Sequence, residues 1–361
     1  MPKPRPPTSR SSSAPPVSGA PRTINLALQG GGSHGAFTWG VLDRLLEDGR
    51  IDFDGICGTS AGAMNAVLLA HGYSLDGRDG ARAALAGFWQ RVAALGAAAN
   101  PVVDLLGAHA DGAAAQALLA VQQWMLESLA RTLSPYQLNP LAINPLRDLL
   151  GDCVDFERLR KHSVIKLFLC ATNVRSGKVR IFDNAAMSLD AVMASACLPH
   201  LFHAVEIDGE HYWDGGYMGN PALFPLFYAT ATRDVVIVMV NPIRRDEVPT
   251  TPAAIADRVS EISFNSSLMR EMRAVEFVTR QLSEGWLRPE YTQRMRHVLV
   301  HLVRADGFMG TLAAATKIRA DLRFLTGLRD RGRACAAQWL ADHHADLGVR
   351  STIDLRREFL D

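Results

Sequence analysis

The stretch Gly58-Thr59-Ser60-Ala61-Gly62 constrains this chain more than any other part of it. It follows an apolar run, Ile51 to Cys57, with the composition of a buried strand. It precedes Ala63-Met64-Asn65-Ala66-Val67-Leu68-Leu69-Ala70, which reads as the start of a buried helix. A serine between two such glycines on a strand-to-helix turn makes a sharp elbow. β-Carbons two positions to either side would crowd the turn, and the serine itself is expected at strained backbone angles, a cost of about 1–3 kcal/mol. The strain exposes a hydroxyl at a helix N-terminus. A strand that passes directly into a helix also belongs to a parallel sheet.

The flanking sequence extends the pattern. Ile24 to Gln29 reads as a first strand and runs into Gly30-Gly31-Gly32-Ser33-His34-Gly35. Phe37, Val41, Leu42, Leu45 and Leu46 then recur at helical spacing until Asp48-Gly49. The first 70 residues are thus strand, glycine loop, helix, strand, elbow, helix. Residues 76–150 read as an Ala-rich helical insert with breaks at Asn100-Pro101, Ser134-Pro135 and Asn139-Pro140 and a nearly continuous helix from Ala113 to Leu133.

Val164 to Val174 is a strongly apolar strand, with Lys178 to Phe182 its hairpin partner, and Ser188 to Ala196 is a short helix. Val205 to Trp213 forms a hairpin about Asp208-Gly209 and delivers Asp214-Gly215-Gly216. Asp234 to Asn241 is another buried strand. A long helix starts at Thr251-Pro252, with Ile255, Val259 and Ile262 on one face. His297 to Val303 is a last strand, and a charged helical tail follows from Thr316.

Composition narrows the function classes. A length of 361 residues suits one large α/β domain or two small ones, and 48% apolar residues supply a core. The net charge of +1 gives no field that would steer the chain to nucleic acid. Five scattered cysteines (Cys57, Cys153, Cys170, Cys197, Cys335) lack C-x-x-C spacing, which argues against a disulfide framework or zinc site and favours a cytoplasmic setting. Residues 1–22 are rich in Pro and Ser, lack the apolar stretch of a signal peptide, and are expected to be disordered. No segment has the roughly 18 apolar residues of a membrane span, so any membrane contact would be peripheral.

Three motifs map onto acyl transfer. Ser60 is a nucleophile that needs a base in reach. Gly30, Gly31 and Gly32 leave backbone N–H groups free to point at an oxyanion, where each donor is worth about 2.7–4 kcal/mol. Asp214, followed by Gly215 and Gly216, is a credible base. A rival exists. Gly30, Gly32 and Gly35 also fit a dinucleotide fingerprint, with Asp52 and Asp54 about 20 residues on. Those aspartates fall early in their strand, however, and the strand end is taken by the serine elbow. His200 and His203, shortly before Asp214, keep a triad with histidine open.

The chain resembles the patatin-like phospholipase family in the glycine loop at Gly30–Gly35, the elbow at Gly58–Gly62, the short Ala194-Ser195-Ala196-Cys197-Leu198-Pro199 stretch and Asp214-Gly215-Gly216. The resemblance covers about residues 24–240. It implies a three-layer α/β/α domain with a central, mostly parallel sheet and a helical C-terminal extension. It divides the chain into the N-terminal segment 1–22, a catalytic core at 23–240 that carries the insert, and a helical part at 241–361 packed on the core.

It further implies hydrolysis of lipid acyl esters, of phospholipase A or lysophospholipase type, by a Ser60–Asp214 dyad. The oxyanion hole lies at Gly30, Gly31 and Gly32, and there is no metal or organic cofactor. A carboxylesterase or polyester depolymerase would use the same dyad, and a dinucleotide-binding or silent regulatory protein is the reading from another class. The family often carries Arg or Lys where this chain has His34, so a group expected to titrate near neutrality replaces a fixed charge and is a candidate head-group contact. Of the remaining candidates, His343-His344 with Asp346, the Arg329–Arg333 cluster and Trp124, Met125 and Leu129 read as solvated or core positions rather than sites.

Overall fold

The computed structural model describes residues 20–99, 133–286, 288, 290 and 295–361. The disordered segment expected at 1–22 falls almost wholly outside these residues. So do the Asn100-Pro101 break, the helix expected from Ala113 and the Trp124, Met125 and Leu129 positions.

Eight strands form one sheet. These are β1 (Arg22–Leu28), β2 (Ile51–Gly58), β3 (Lys166–Asn173), β4 (Val179–Phe182), β5 (Val205–Ile207), β6 (Glu210–Asp214), β7 (Asp234–Val238) and β8 (Leu299–Val303). β3, β2, β1, β7 and β8 are parallel neighbours, while β4, β5 and β6 pair antiparallel. Leu169 pairs with both Gly58 and Phe182, and Ala171 with both Asp214 and Arg180. β4 therefore takes one edge of β3. β2 and β6 share the other edge, end to end.

Side chains alternate across the sheet, as the strand pleat requires. Ile24, Leu26, Leu28, Ile56, Leu167, Leu169, Val236 and Val238 join one core, with helices α1 (Gly35–Asp48), α2 (Ala61–Ala99) and, further along the chain, Leu322–His343. Ala27, Cys57, Phe168, Val235 and Ile237 join a second core, closed by the Pro252–Ser283 and Leu355–Phe359 helices. This is a three-layer α/β/α fold with a mostly parallel central sheet and a helical C-terminal region. α2 kinks at Asp76 and Gly77, where the helical insert was expected to begin.

Capping sets several boundaries. Ser188 Oγ accepts from the Ala191 N–H ahead of α3 (Leu189–Ser195), and Thr251 Oγ1 from the Ala254 N–H ahead of α4 (Pro252–Ser283). The long helix α4 differs from its sequence pattern in one respect. Ile255, Val259 and Ile262 are exposed, and its buried stripe is Glu261, Asn265, Leu268, Met272 and Val275. Polar residues hold the first part of that stripe because Arg245 and Gln29 bond to Glu261 and Asn265.

Candidate active site

The elbow has the expected strain: Ser60 adopts φ +55°, one of three non-glycine residues with positive φ among those described. The glycines around it are required by contact. A β-carbon on Gly62 would lie 2.2 Å from the Leu28 carbonyl oxygen at the end of β1, and one on Gly58 would lie 2.7 Å from the Gly62 carbonyl oxygen. The Ser60 N–H donates to Ser195 Oγ at 3.0 Å, and Thr59 Oγ1 donates to the Gly219 carbonyl at 2.6 Å. The turn is thus bolted to α3 and to the loop after Asp214. Ser195 and Gly219 both lie in stretches that bracket the β5–β6 hairpin.

Asp214 ends β6. Its backbone N–H donates to the Cys197 carbonyl at 2.7 Å, and its carbonyl accepts from Thr172 Oγ1 at 2.8 Å. The side chain is fully buried. Oδ1 accepts from the Gly216 N–H at 2.7 Å, while Oδ2 completes no well-formed hydrogen bond. Burial pushes the carboxyl up to about 7, against the pull of the Gly216 N–H, the Ser60 hydroxyl and the Lys317 charge. The Ser60 hydroxyl is one of the groups that act on the carboxyl, without a well-formed hydrogen bond between the two. Sequence positions 60 and 214 meet because β2 and β6 occupy one edge of β3.

The glycine loop differs in detail from its expected role. The Gly30 N–H is already committed, donating to Asn220 Oδ1 at 2.7 Å. It is not available to an oxyanion, which corrects the three-donor reading. No hydrogen bond among the described residues takes the amides of Gly31 or Gly32. Gly32 has φ +58°, and its missing β-carbon is filled by the backbone of Lys317, whose carbonyl oxygen would lie 2.2 Å away.

His34 also departs from expectation. It is buried, Nε2 shares a 2.8 Å hydrogen bond with Thr316 Oγ1, and burial followed by the Lys317 charge drives its pKa down to about 3. It is neutral at ordinary pH and turned toward the C-terminal segment, which removes it as a titrating head-group contact.

The triad and nucleotide alternatives lose their residues. His203 stacks on Tyr136 at 4.1 Å between ring centres and meets the Pro135 carbonyl, and His200 is exposed. Among the described residues no histidine hydrogen-bonds to Ser60 or Asp214. Asp52 pairs with Arg78, and Asp54 accepts from Lys166, Ala231 and Thr232. Both stand in the first half of β2, away from the glycine loop.

Sequence reading missed Asn220, Asn241 and Gln29, all buried. Gln29 Oε1 accepts from the Val240 and Asn241 amides, and Asn241 Nδ2 donates to the Gly30 carbonyl at 2.7 Å. The polar residue directly before the first glycine was the available signal.

No curated protein matches this chain. Among solved structures it is similar to VipD from Legionella pneumophila, with 16% identity, a TM-score of 0.38, and coverage of 94% of this chain and 73% of that one. A family model described as Patatin-like phospholipase matches residues 26–227, more than half of the chain, from the end of β1 to the segment after Asp214. The chain belongs to the patatin-like phospholipase family, whose membership supports lipid acyl hydrolase activity in general.

Proposed function

We propose that this protein hydrolyses carboxylic esters of lipids, in the manner of a phospholipase A or lysophospholipase, with Ser60 as nucleophile and Asp214 as base. The observation that carries the reading is the buried Asp214 carboxyl, raised to about 7, beside a serine hydroxyl on a strained elbow. A base poised near the operating pH transfers protons most effectively. Ser60 Oγ attacks the ester carbonyl carbon as its proton passes to Asp214. The carbonyl oxygen, now an oxyanion, is held by the Gly31 and Gly32 amides near the N-terminal end of α2, whose dipole favours negative charge. Collapse expels the alcohol, which takes the proton from Asp214, and leaves an acyl ester on Ser60. Water then gives a proton to Asp214 and attacks the acyl carbon. The acid leaves, and the proton returns to Ser60.

Turnover of a short-chain p-nitrophenyl ester by the wild type, Ser60→Ala and Asp214→Asn tests the pair. Both variants are expected to lose at least about 10³-fold in rate. Full activity in either removes the dyad. Release of fatty acid from phospholipid vesicles, compared with release from neutral esters, tests the lipid assignment.

A further inference from the structure

The glycine loop is gripped by a segment far outside the matched region. Residues Ala314–Ile318 form a short 3-10 turn that lies against it. Two ties run directly from one to the other and a third runs through Asn241. Thr316 Oγ1 meets His34 Nε2 at 2.8 Å, the Lys317 backbone fills the space beside Gly32, and Lys317 Nζ donates to Asn241 Oδ1 at 2.8 Å. Asn241 in turn donates through Nδ2 to the Gly30 carbonyl at 2.7 Å.

Among the described residues the ammonium makes no direct ion pair. Glu261 and Asp257 are the carboxylates that act on it most, and the oxygens of Glu261 are engaged by Arg245 and Arg258. Lys317 bonds to a neutral amide instead, and its charge acts outward on Asp214, His34 and Glu261. A lysine that served only to neutralise a buried acid would sit on that acid.

We propose that Lys317 is a positioning residue for ester hydrolysis, holding the Gly30–Gly32 loop through Asn241 and bringing a cation to the neighbourhood of Asp214. This rests on the Ser60–Asp214 reading. It also explains why a neutral histidine is tolerated at position 34: the positive charge beside the loop comes from residue 317.

The surroundings of Asp214 make the charge legible. Among the described residues, the groups acting on it are the Gly216 N–H from the following turn, the Ser60 hydroxyl from the elbow and Lys317, and it acts in turn on Cys170 on β3, Cys197 after α3 and Tyr217. Burial pushes the Cys170 thiol well up, the Cys197 thiol up to about 12 and the Tyr217 hydroxyl up to about 12, so all three are neutral at working pH. Lys317 is itself lowered by burial and by Arg245, and raised by Glu261 and Asp257. It is the one member of the set around Asp214 that carries a charge.

The experiment is the pH profile of kcat/KM on a short-chain ester for the wild type, Lys317→Gln, Lys317→Met and Lys317→Arg, with Ser60→Ala and Asp214→Asn alongside. Gln keeps a donor for Asn241 without the charge, Met removes both, and Arg keeps both. Lys317→Gln and Lys317→Met are expected to move the acid limb upward by about half a unit or more, the scale of one charge interaction in a partly buried site. Met should also lose about tenfold or more in kcat, and Arg should restore the limb. Limbs superimposed on the wild type in both Gln and Met overturn the proposal while leaving the dyad standing. Should Met fail to fold, the Gln and Arg profiles decide alone. Undiminished activity in Ser60→Ala or Asp214→Asn overturns the dyad itself and the Lys317 role with it.

Discussion

Gly58 and Asp214 occupy the same edge of β3, one pairing with Leu169 and the other with Ala171. β2 leaves that edge at Gly58 to make the elbow, and β6 arrives on it from the opposite direction at Asp214. The hydroxyl and the carboxyl are thereby brought together by sheet register rather than by loops. A rigid sheet is the sounder support for a pair that must meet to within a few tenths of an ångström.

Asp214 is predicted to cost stability when ionised. Its folded pKa of about 7 lies above the ordinary 3.8, so its favourable contribution is present below pH 3.8 and is lost as pH rises through 7. Asp214→Asn should melt above the wild type at pH 8, by at most about 4 kcal/mol, with the difference shrinking toward pH 4. Thermal melts at the two pH values check this. A variant less stable than wild type at pH 8 contradicts it.

His34 is predicted to act in the opposite direction. Its folded pKa of about 3 lies below 6.5, so its contribution is intact above pH 6.5 and is lost as pH falls toward 3. His34→Gln, which retains a partner for Thr316, should be less sensitive to acid unfolding than wild type. It should leave the neutral limb of the activity profile in place. A limb that moves with His34 would show that the ring titrates in the working range after all.

The elbow glycine is predicted to be intolerant. Gly62→Ala drives a β-carbon into the Leu28 carbonyl at 2.2 Å, backbone against backbone, and is expected to cost about 2–4 kcal/mol and most activity. Gly87→Ala, in the same helix with nothing within 4 Å, should instead gain up to about 1 kcal/mol. Denaturant melts of the two variants supply the comparison.

These predictions show which parts of the molecule were readable from residue order. β1 to β8 were legible because apolar runs bounded by turn residues carry their own periodicity, and Ser188 and Thr251 marked helix starts through local capping. Ser60 and Asp214 were legible as local motifs. What local pattern could not carry is partnership across the chain. The Gly30 N–H is taken by Asn220, and His34 is kept neutral by burial and a lysine 283 residues away. α4 turns Ile255, Val259 and Ile262 outward because Glu261 and Asn265 on its other side have buried polar partners. None of these leaves a periodic trace.

The central claim is that Ser60 is a nucleophile activated by Asp214, and covalent labelling by a fluorophosphonate, read by mass spectrometry of the digested protein, tests it most directly. The account predicts one equivalent of label on the peptide carrying Ser60, none there in Ser60→Ala, and labelling slowed by at least about 10²-fold in Asp214→Asn. Labelling at another residue, or an unchanged rate in Asp214→Asn, would contradict it.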